Sequence, residues 1–511
     1  MLKRSDARRG PWRAGREALA PALRGAVALA LASVAAPAAA GDPSPKRLAK
    51  AVDAIASQPA FATAFWGIDV RSLATGRTLY ARNADKAFRP ASNMKLVTTA
   101  AALDAFGADG RIRTTVETAG RLDGLGRLLG DVFLVGRGDP NLSARFWPGR
   151  PAAAFEEMAG AVAAAGVRRI EGRVVGHEGA FVGERRGSDW TWEDLAWGYG
   201  AEVSALSFAD NEVEVTLEPG ERAGDPAVLD LTPDAGCVTV RSTVTTTEAV
   251  AAPPPPADGD DGIRLEREPG SNEALLTGRL PLGGHWKGGL AVADPARCAA
   301  AAFRAALEAK GVRVVGGLAT SRQPLPVGAR VLAAHESPPM AEMVRVVNKE
   351  SQNLHAEMLL RLVGLKAKGE GSAAKGREAV ADLARRLGVP DEGWELADGS
   401  GLARSDLLTP AGLVALLVAM DRHPYAVAFR DSLPVAGVDG TLETRMRGTP
   451  AERRVAAKTG TLRLANALAG YVTTERGERL AFAVLVNNHA GKAREAVAAI
   501  DAIAAALAVA R

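Results

Sequence analysis

The sequence predicts an α/β chain, α+β in layout, in which one domain is built from both ends and split by inserted material. Three observations predict it. Strand and helix patterns mix at both ends, three strand-like runs follow one another near the C-terminus, and the middle turns β-rich. The chain has 511 residues, enough for about two to four domains. Apolar residues make up 47% and charged residues 24%, which excludes disordered and fibrous classes. With only 8 Trp, 4 Tyr and 12 Phe, the cores must be built mainly of Ala, Leu and Val.

Residues 1–40 read as a cleavable signal peptide. Lys3, Arg4, Arg8, Arg9, Arg13, Arg16 and Arg24 precede an apolar run from Gly25 to Ala36, and Ala38-Ala39-Ala40 offers a cleavage pattern. That run is far short of the ~20 residues needed to span a bilayer. Gly10-Pro11 after Arg8-Arg9 favours ordinary secretion over twin-Arg export. The leader holds seven basic and two acidic residues; removing it takes the chain from +4 to −1. A body so near neutral has no electrostatic reason to bind nucleic acid, and no later stretch implies more than peripheral membrane contact.

After the leader, Arg47 to Ser57 reads as a helix. Ala64–Val70 and Thr78–Ala81 flank Ala74-Thr75-Gly76-Arg77 as a strand–turn–strand. Pro90 and Ser92 then open an Ala/Leu-rich helix. In the middle, Leu128–Val135 and Arg169–Val175 read as strands, and Pro151–Ala165 as a helix. Glu212–Glu218, Ala227–Thr232 and Cys237–Thr247 give the β-rich part, with an exposed Pro- and Asp-rich loop from Pro253. A helix from Cys298 to Lys310 and a strand from Val312 to Val315 resume the mixed pattern. Strands at Val455–Thr461, Asn466–Thr473 and Arg479–Val486 and a helix from Lys492 to Val509 close the chain.

Cys237 and Cys298 are either a pair in an oxidising compartment or two separate buried thiols. Two cysteines exclude Cys-based zinc sites, and the six histidines form no HExxH pair, so no metal and no cofactor is expected.

The chemistry lies in three short motifs. Ser92-Asn93-Met94-Lys95 places a hydroxyl and an amine at i and i+3, on one helix face. A serine needs a neighbouring base, and a lysine serves when burial and nearby cations lower its pKa. The motif is weak alone, because Ser372-Ala373-Ala374-Lys375 repeats it at what reads as a solvated helix start. Ser351-Gln352-Asn353 lies just before an apolar helix, Leu354–Leu362, and Lys458-Thr459-Gly460-Thr461 lies in a predicted strand. There Gly460 would let a ligand approach the backbone, while Lys458 and the Thr hydroxyls offer donors to a carboxylate. Ser-x-x-Lys, Ser-x-Asn and Lys-Thr-Gly, in that order, are the signature of penicillin-recognising serine enzymes, and the order discards Ser372.

The chain thus resembles the D-alanyl-D-alanine carboxypeptidase/endopeptidases of the class C low-molecular-mass penicillin-binding proteins. The resemblance covers nearly all of 44–511 and includes Gly138-Asp139-Pro140-Asn141-Leu142, Val203-Ser204-Ala205-Leu206, Asp398-Gly399-Ser400-Gly401-Leu402 and Ala436–Leu442. The span of 259 residues from Ser92 to Ser351 points to this class. Gln352 departs from the Asp common at that place. The resemblance implies a transpeptidase/β-lactamase-like domain (41–107 and 331–511) with a central antiparallel sheet flanked by helices. It also implies a mixed α/β insert (108–211 and 284–330) and a β-rich insert (212–283).

It further implies an exported serine peptidase of the periplasm or cell-wall space, acting on peptidoglycan peptides and blocked covalently by β-lactam antibiotics. Ser92 would be the nucleophile, Lys95 the proton acceptor, and Ser351 the relay to the leaving amine. Asn353 would hold the substrate amide and Lys95. Lys458, Thr459 and Thr461 would take the terminal carboxylate, with backbone N–H groups of Ser92 and Thr461 as the oxyanion hole. A β-lactamase is the alternative within the enzyme class, disfavoured by the long insert and the lack of a matching Glu loop. A non-catalytic wall-binding protein is disfavoured by three intact motifs. His355, one turn into its helix, and the Trp190, Trp192 and Trp197 cluster read as structural. Ser400 reads as no nucleophile and Asp439 as a turn residue. Nothing in the sequence indicates an oligomeric state.

Overall fold

A computed structural model of the chain describes residues 45–249, 262–490 and 493–510. The expected signal peptide and most of the loop that begins at Pro253 lie outside the described residues.

The strand 479–487 explains the central architecture. It alternates strictly: Leu480, Phe482, Val484 and Val486 pack in one core, whereas Ala481, Ala483 and Leu485 pack in another. A strand apolar on both faces must lie inside a sandwich. It sits in the middle of a five-stranded antiparallel sheet ordered 455–462, 465–473, 479–487, 65–72, 78–82. One face is covered by the helices Pro45–Ala56 and Ala493–Ala508. On the other face, alanines leave room for Met94–Phe106, whose residues Met94 through Leu103 are all buried. A helix so deeply buried needs no polar face, and its buried polar side chains, Lys95, Thr98 and Thr99, are each hydrogen-bonded to a backbone carbonyl. The helices Met340–Lys349, Asn353–Lys368 and Pro410–Asp421 complete that layer.

The mixed part between them differs from expectation in one respect. Leu128–Val135 and Arg169–Val175 are not single strands: each breaks at a glycine and serves two sheets. Strands 121–122, 127–129, 169–170 and 313–314 form one sheet, while 113–118, 132–135, 174–177, 318–321 and 330–336 form the next. A row of glycines marks the crossing. A Cβ on Gly172 would lie 2.3 Å from the Gly130 carbonyl oxygen, and one on Gly316 the same distance from that of Gly172. Backbones stack there too closely for any side chain.

The β-rich part pairs 212–218 with both 228–232 and 286–291, beside a second sheet of 239–242, 245–247, 263–266 and 273–281. Cys237–Thr247, expected as one strand, is two. Of the two readings of the cysteines, the disulfide is the one formed: Cys237 is bonded to Cys298 on the helix Pro295–Ala309. Among the described residues no helix is long and apolar enough to cross a membrane.

Candidate active site

Ser92 lies in a 3-10 turn, Ala91–Asn93, that runs directly into the helix Met94–Phe106. Helical spacing carries Lys95 back beneath it, and Lys95 Nζ donates to Ser92 Oγ at 2.9 Å. The same ammonium donates to Asn353 Oδ1 and to the Ser400 carbonyl, each at 2.6 Å. All three protons are therefore placed. Lys95 is fully buried, and burial drives its pKa down to about 8 against the opposing pull of Asp398, Glu357 and Asp406.

The second motif arrives on the opposite side. Ser351 has φ +62° and its hydroxyl accepts from Lys458 Nζ at 2.9 Å. Lys458 is also fully buried, and burial together with the Lys95 charge holds its pKa well below the usual range. Asn93 Nδ2 donates to the Lys458 carbonyl at 3.0 Å. Two sets of hydrogen bonds thus face each other, Ser92–Lys95–Asn353 and Ser351–Lys458, and Asn93 ties the Ser92 turn to the strand that carries Lys458. Thr459 is half-buried beside them and donates through Oγ1 to Thr441 Oγ1 at 2.8 Å. Thr461 is exposed, and its Oγ1 accepts from Asn466 at 3.2 Å.

The family model for the D-Ala-D-Ala carboxypeptidase 3 (S13) family matches residues 48–507. The chain belongs to that family. It is 38% identical over 470 residues to a D-alanyl-D-alanine carboxypeptidase of Actinomadura sp. strain R39, covering 89% of this chain and 84% of that one. It is 26% identical over 404 residues to a D-alanyl-D-alanine carboxypeptidase of Haemophilus influenzae, covering 78% and 80%. In fold it is similar to the crystal structure of penicillin binding protein 4 from Haemophilus influenzae. That match has a TM-score of 0.76 and 23% identity, and covers 89% of this chain and 98% of that one.

Several features of this S13 carboxypeptidase correct the sequence reading. The bare face of Gly460 has a second, structural reason: a Cβ there would lie 2.6 Å from the Pro90 carbonyl oxygen and 3.2 Å from Asn93 Nδ2. The glycine lets the strand 455–462 press against the Ser92 turn. Trp190 and Trp197 do pack in cores, but Trp192 is 71% exposed. Ser372 caps the helix Ala373–Arg386 by accepting the Lys375 N–H, yet it is buried rather than solvated. The departure at Gln352 has a local purpose, since its Oε1 caps the helix Asn353–Lys368 by accepting the Leu354 N–H at 2.7 Å.

Other parts of the site were not read as functional from sequence. The Ser400 carbonyl, not its hydroxyl, is what reaches Lys95. Tyr199, from the inserted region, offers its carbonyl to Asn353 Nδ2 at 2.8 Å. Asp439 does more than turn the chain: it binds Lys349 Nζ at 2.8 and 2.6 Å, docking the 435–442 loop beside Ser351. His355 is structural in the sense expected, with Nε2 2.9 Å from Asp210 Oδ1. Only backbone contacts could have pointed to Ser400 and Tyr199, and backbone atoms carry no residue-type signal.

Proposed function

We propose that this S13 enzyme removes the terminal D-alanine of peptidoglycan stem peptides through an acyl-enzyme on Ser92. We infer that it also cleaves cross-links between such peptides and is blocked by β-lactams. The observation that carries the reading is Lys95 Nζ, held 2.9 Å from Ser92 Oγ and 2.6 Å from Asn353 Oδ1. With a pKa of about 8, roughly a tenth of Lys95 is free base at pH 7. In that form its lone pair faces the Ser92 hydroxyl.

The Ser92 proton passes to Lys95 as Oγ bonds to the carbonyl carbon between the two D-alanines. The C–N bond then breaks, and Ser351 passes a proton to the departing amine. Lys95 refills Ser351 with the proton it took from Ser92, while Lys458, 2.9 Å from Ser351, keeps its charge and supplies the positive field for the substrate's terminal carboxylate. Thr459 and Thr461 add hydroxyl donors. The N–H groups of Ser92 and Thr461 act as the oxyanion hole, roughly 3–4 kcal/mol per donor in comparable sites. Asn353 orients the substrate amide and Lys95. Water hydrolyses the ester.

A β-lactam keeps its amine tethered after ring opening, so its acyl-enzyme turns over slowly. The Haemophilus influenzae relative has been crystallised with a β-lactam, which supports this extension. In this reading the catalytic unit is residues 41–107 and, of the expected 331–511, the part that follows the strand 330–336, which belongs to the sheet of the mixed insert. The leader directs it to the periplasm or cell-wall space.

Digestion of purified cross-linked muropeptides tests both activities by mass. Loss of one D-alanine reports carboxypeptidase action, and separation of bridged peptides reports endopeptidase action. Bridges left intact would remove the second activity only. Acylation by labelled penicillin that decays within seconds would instead indicate a β-lactamase.

A further inference from the structure

The second Ser-x-x-Lys, set aside as chemistry, opens onto a cavity of about 430 Å3. It lies between the segment 182–188 and the helices Asn353–Lys368 and Ala373–Arg386. The cavity backs onto the active site. Glu357 and Ala397 line it; Glu357 Oε1 accepts the Gly399 N–H at 2.8 Å, and the next residue's carbonyl reaches Lys95.

Three arginines, Arg186, Arg361 and Arg377, line it together with Glu184 and Glu357. Arg361 is bound to Glu357 Oε2 at 3.1 Å, and Arg186 to Glu202 at 2.8 Å. Arg377 donates only to the Ala397 carbonyl, at 3.1 Å, and has no carboxylate partner among the described residues. A guanidinium has five N–H donors in a planar fork, so most of this one is uncommitted. Beside it, Ala373 and Ala374 begin a helix, where N–H groups have no acceptor within the helix. The remaining walls are small: Val182, Ala373, Ala374 and Ala397 are apolar, two glycines add bare backbone, and Ser188 and Ser372 add hydroxyls.

The volume falls in the range of small-ligand sites, about 300–1,000 Å3, and far exceeds an inorganic ion. One guanidinium fork with no carboxylate bound to it suits one carboxylate. We propose that the cavity is a second binding site, separate from the one around Ser92, for a short peptide of small residues ending in a free carboxylate. The ligand class rests on the peptidase reading; the site itself does not.

Titration calorimetry with N-acetyl-D-alanyl-D-alanine on Ser92→Ala protein should resolve two sites. Adding Arg377→Ala should remove one. So should Ala374→Glu, which puts a negative charge at an exposed position without touching Ala397. Arg377→Lys, keeping charge but not the fork, should weaken that site several-fold, and the peptide's C-terminal amide should bind it at least tenfold more weakly. Thermal melts matching Ser92→Ala establish that each variant folds. A single site indifferent to both Arg377→Ala and Ala374→Glu overturns the proposal and leaves the Ser92 reading intact. Loss of the sole site in both would support the cavity and count against peptide binding around Ser92.

Discussion

Lys95 Nζ donates to the Ser400 carbonyl oxygen across 2.6 Å, tying the helix Met94–Phe106 to a turn some 300 residues away in sequence. Asp398 sets that turn. Its carboxylate accepts the N–H groups of Ser400 at 2.9 Å, Gly401 at 2.6 Å and Ala403 at 2.8 Å, and the Trp190 indole at 2.8 Å. Asp398 is also the first of the charges that hold the Lys95 pKa up against burial.

Acylation by labelled penicillin should therefore rise with pH and be half-maximal near 8, where Lys95 loses its proton. Asp398→Asn removes a negative charge, which favours the free amine, so the midpoint should move below 8. A midpoint that stayed or rose would separate Lys95 from the observed titration.

Lys458→Ala should lower kcat/KM for a peptide with a free carboxylate by about 10²–10³, the usual loss of a preorganised electrostatic group. The same change should matter less for the C-terminal amide. Equal losses on both substrates would argue that Lys458 works only through Ser351, its partner at 2.9 Å.

Gly460→Ala should push the strand 455–462 off the Ser92 turn, because the new Cβ would meet the Pro90 carbonyl at 2.6 Å. Overpacking of this kind costs about 1–3 kcal/mol. Denaturant melts should show that loss together with slower acylation. Full activity would mean the turn relaxes freely.

The Cys237–Cys298 bond spans 61 residues and should stabilise the fold by about 4 kcal/mol in the chain-entropy view. Cys298→Ala should lower the urea midpoint while Ser92 still labels at 25 °C. Loss of labelling in folded protein would reveal an unexpected coupling of the β-rich part to the site.

The residues alone determined what is local. Ser92 and Lys95 share a helix face because 3.6 residues per turn demands it, and the continuous apolar run Leu480–Val486 points to a strand buried on both faces. The order of three motifs was enough to indicate a chemistry. Tertiary structure decided what depends on contact between distant backbones. It set Lys458 against Ser351, placed the Ser400 and Tyr199 carbonyls on Lys95 and Asn353, and joined the two cysteines. It also gave the bare faces of Gly130, Gly172 and Gly460 to neighbouring chain segments. A carbonyl or a missing Cβ looks the same in every sequence, and only packing assigns its neighbour.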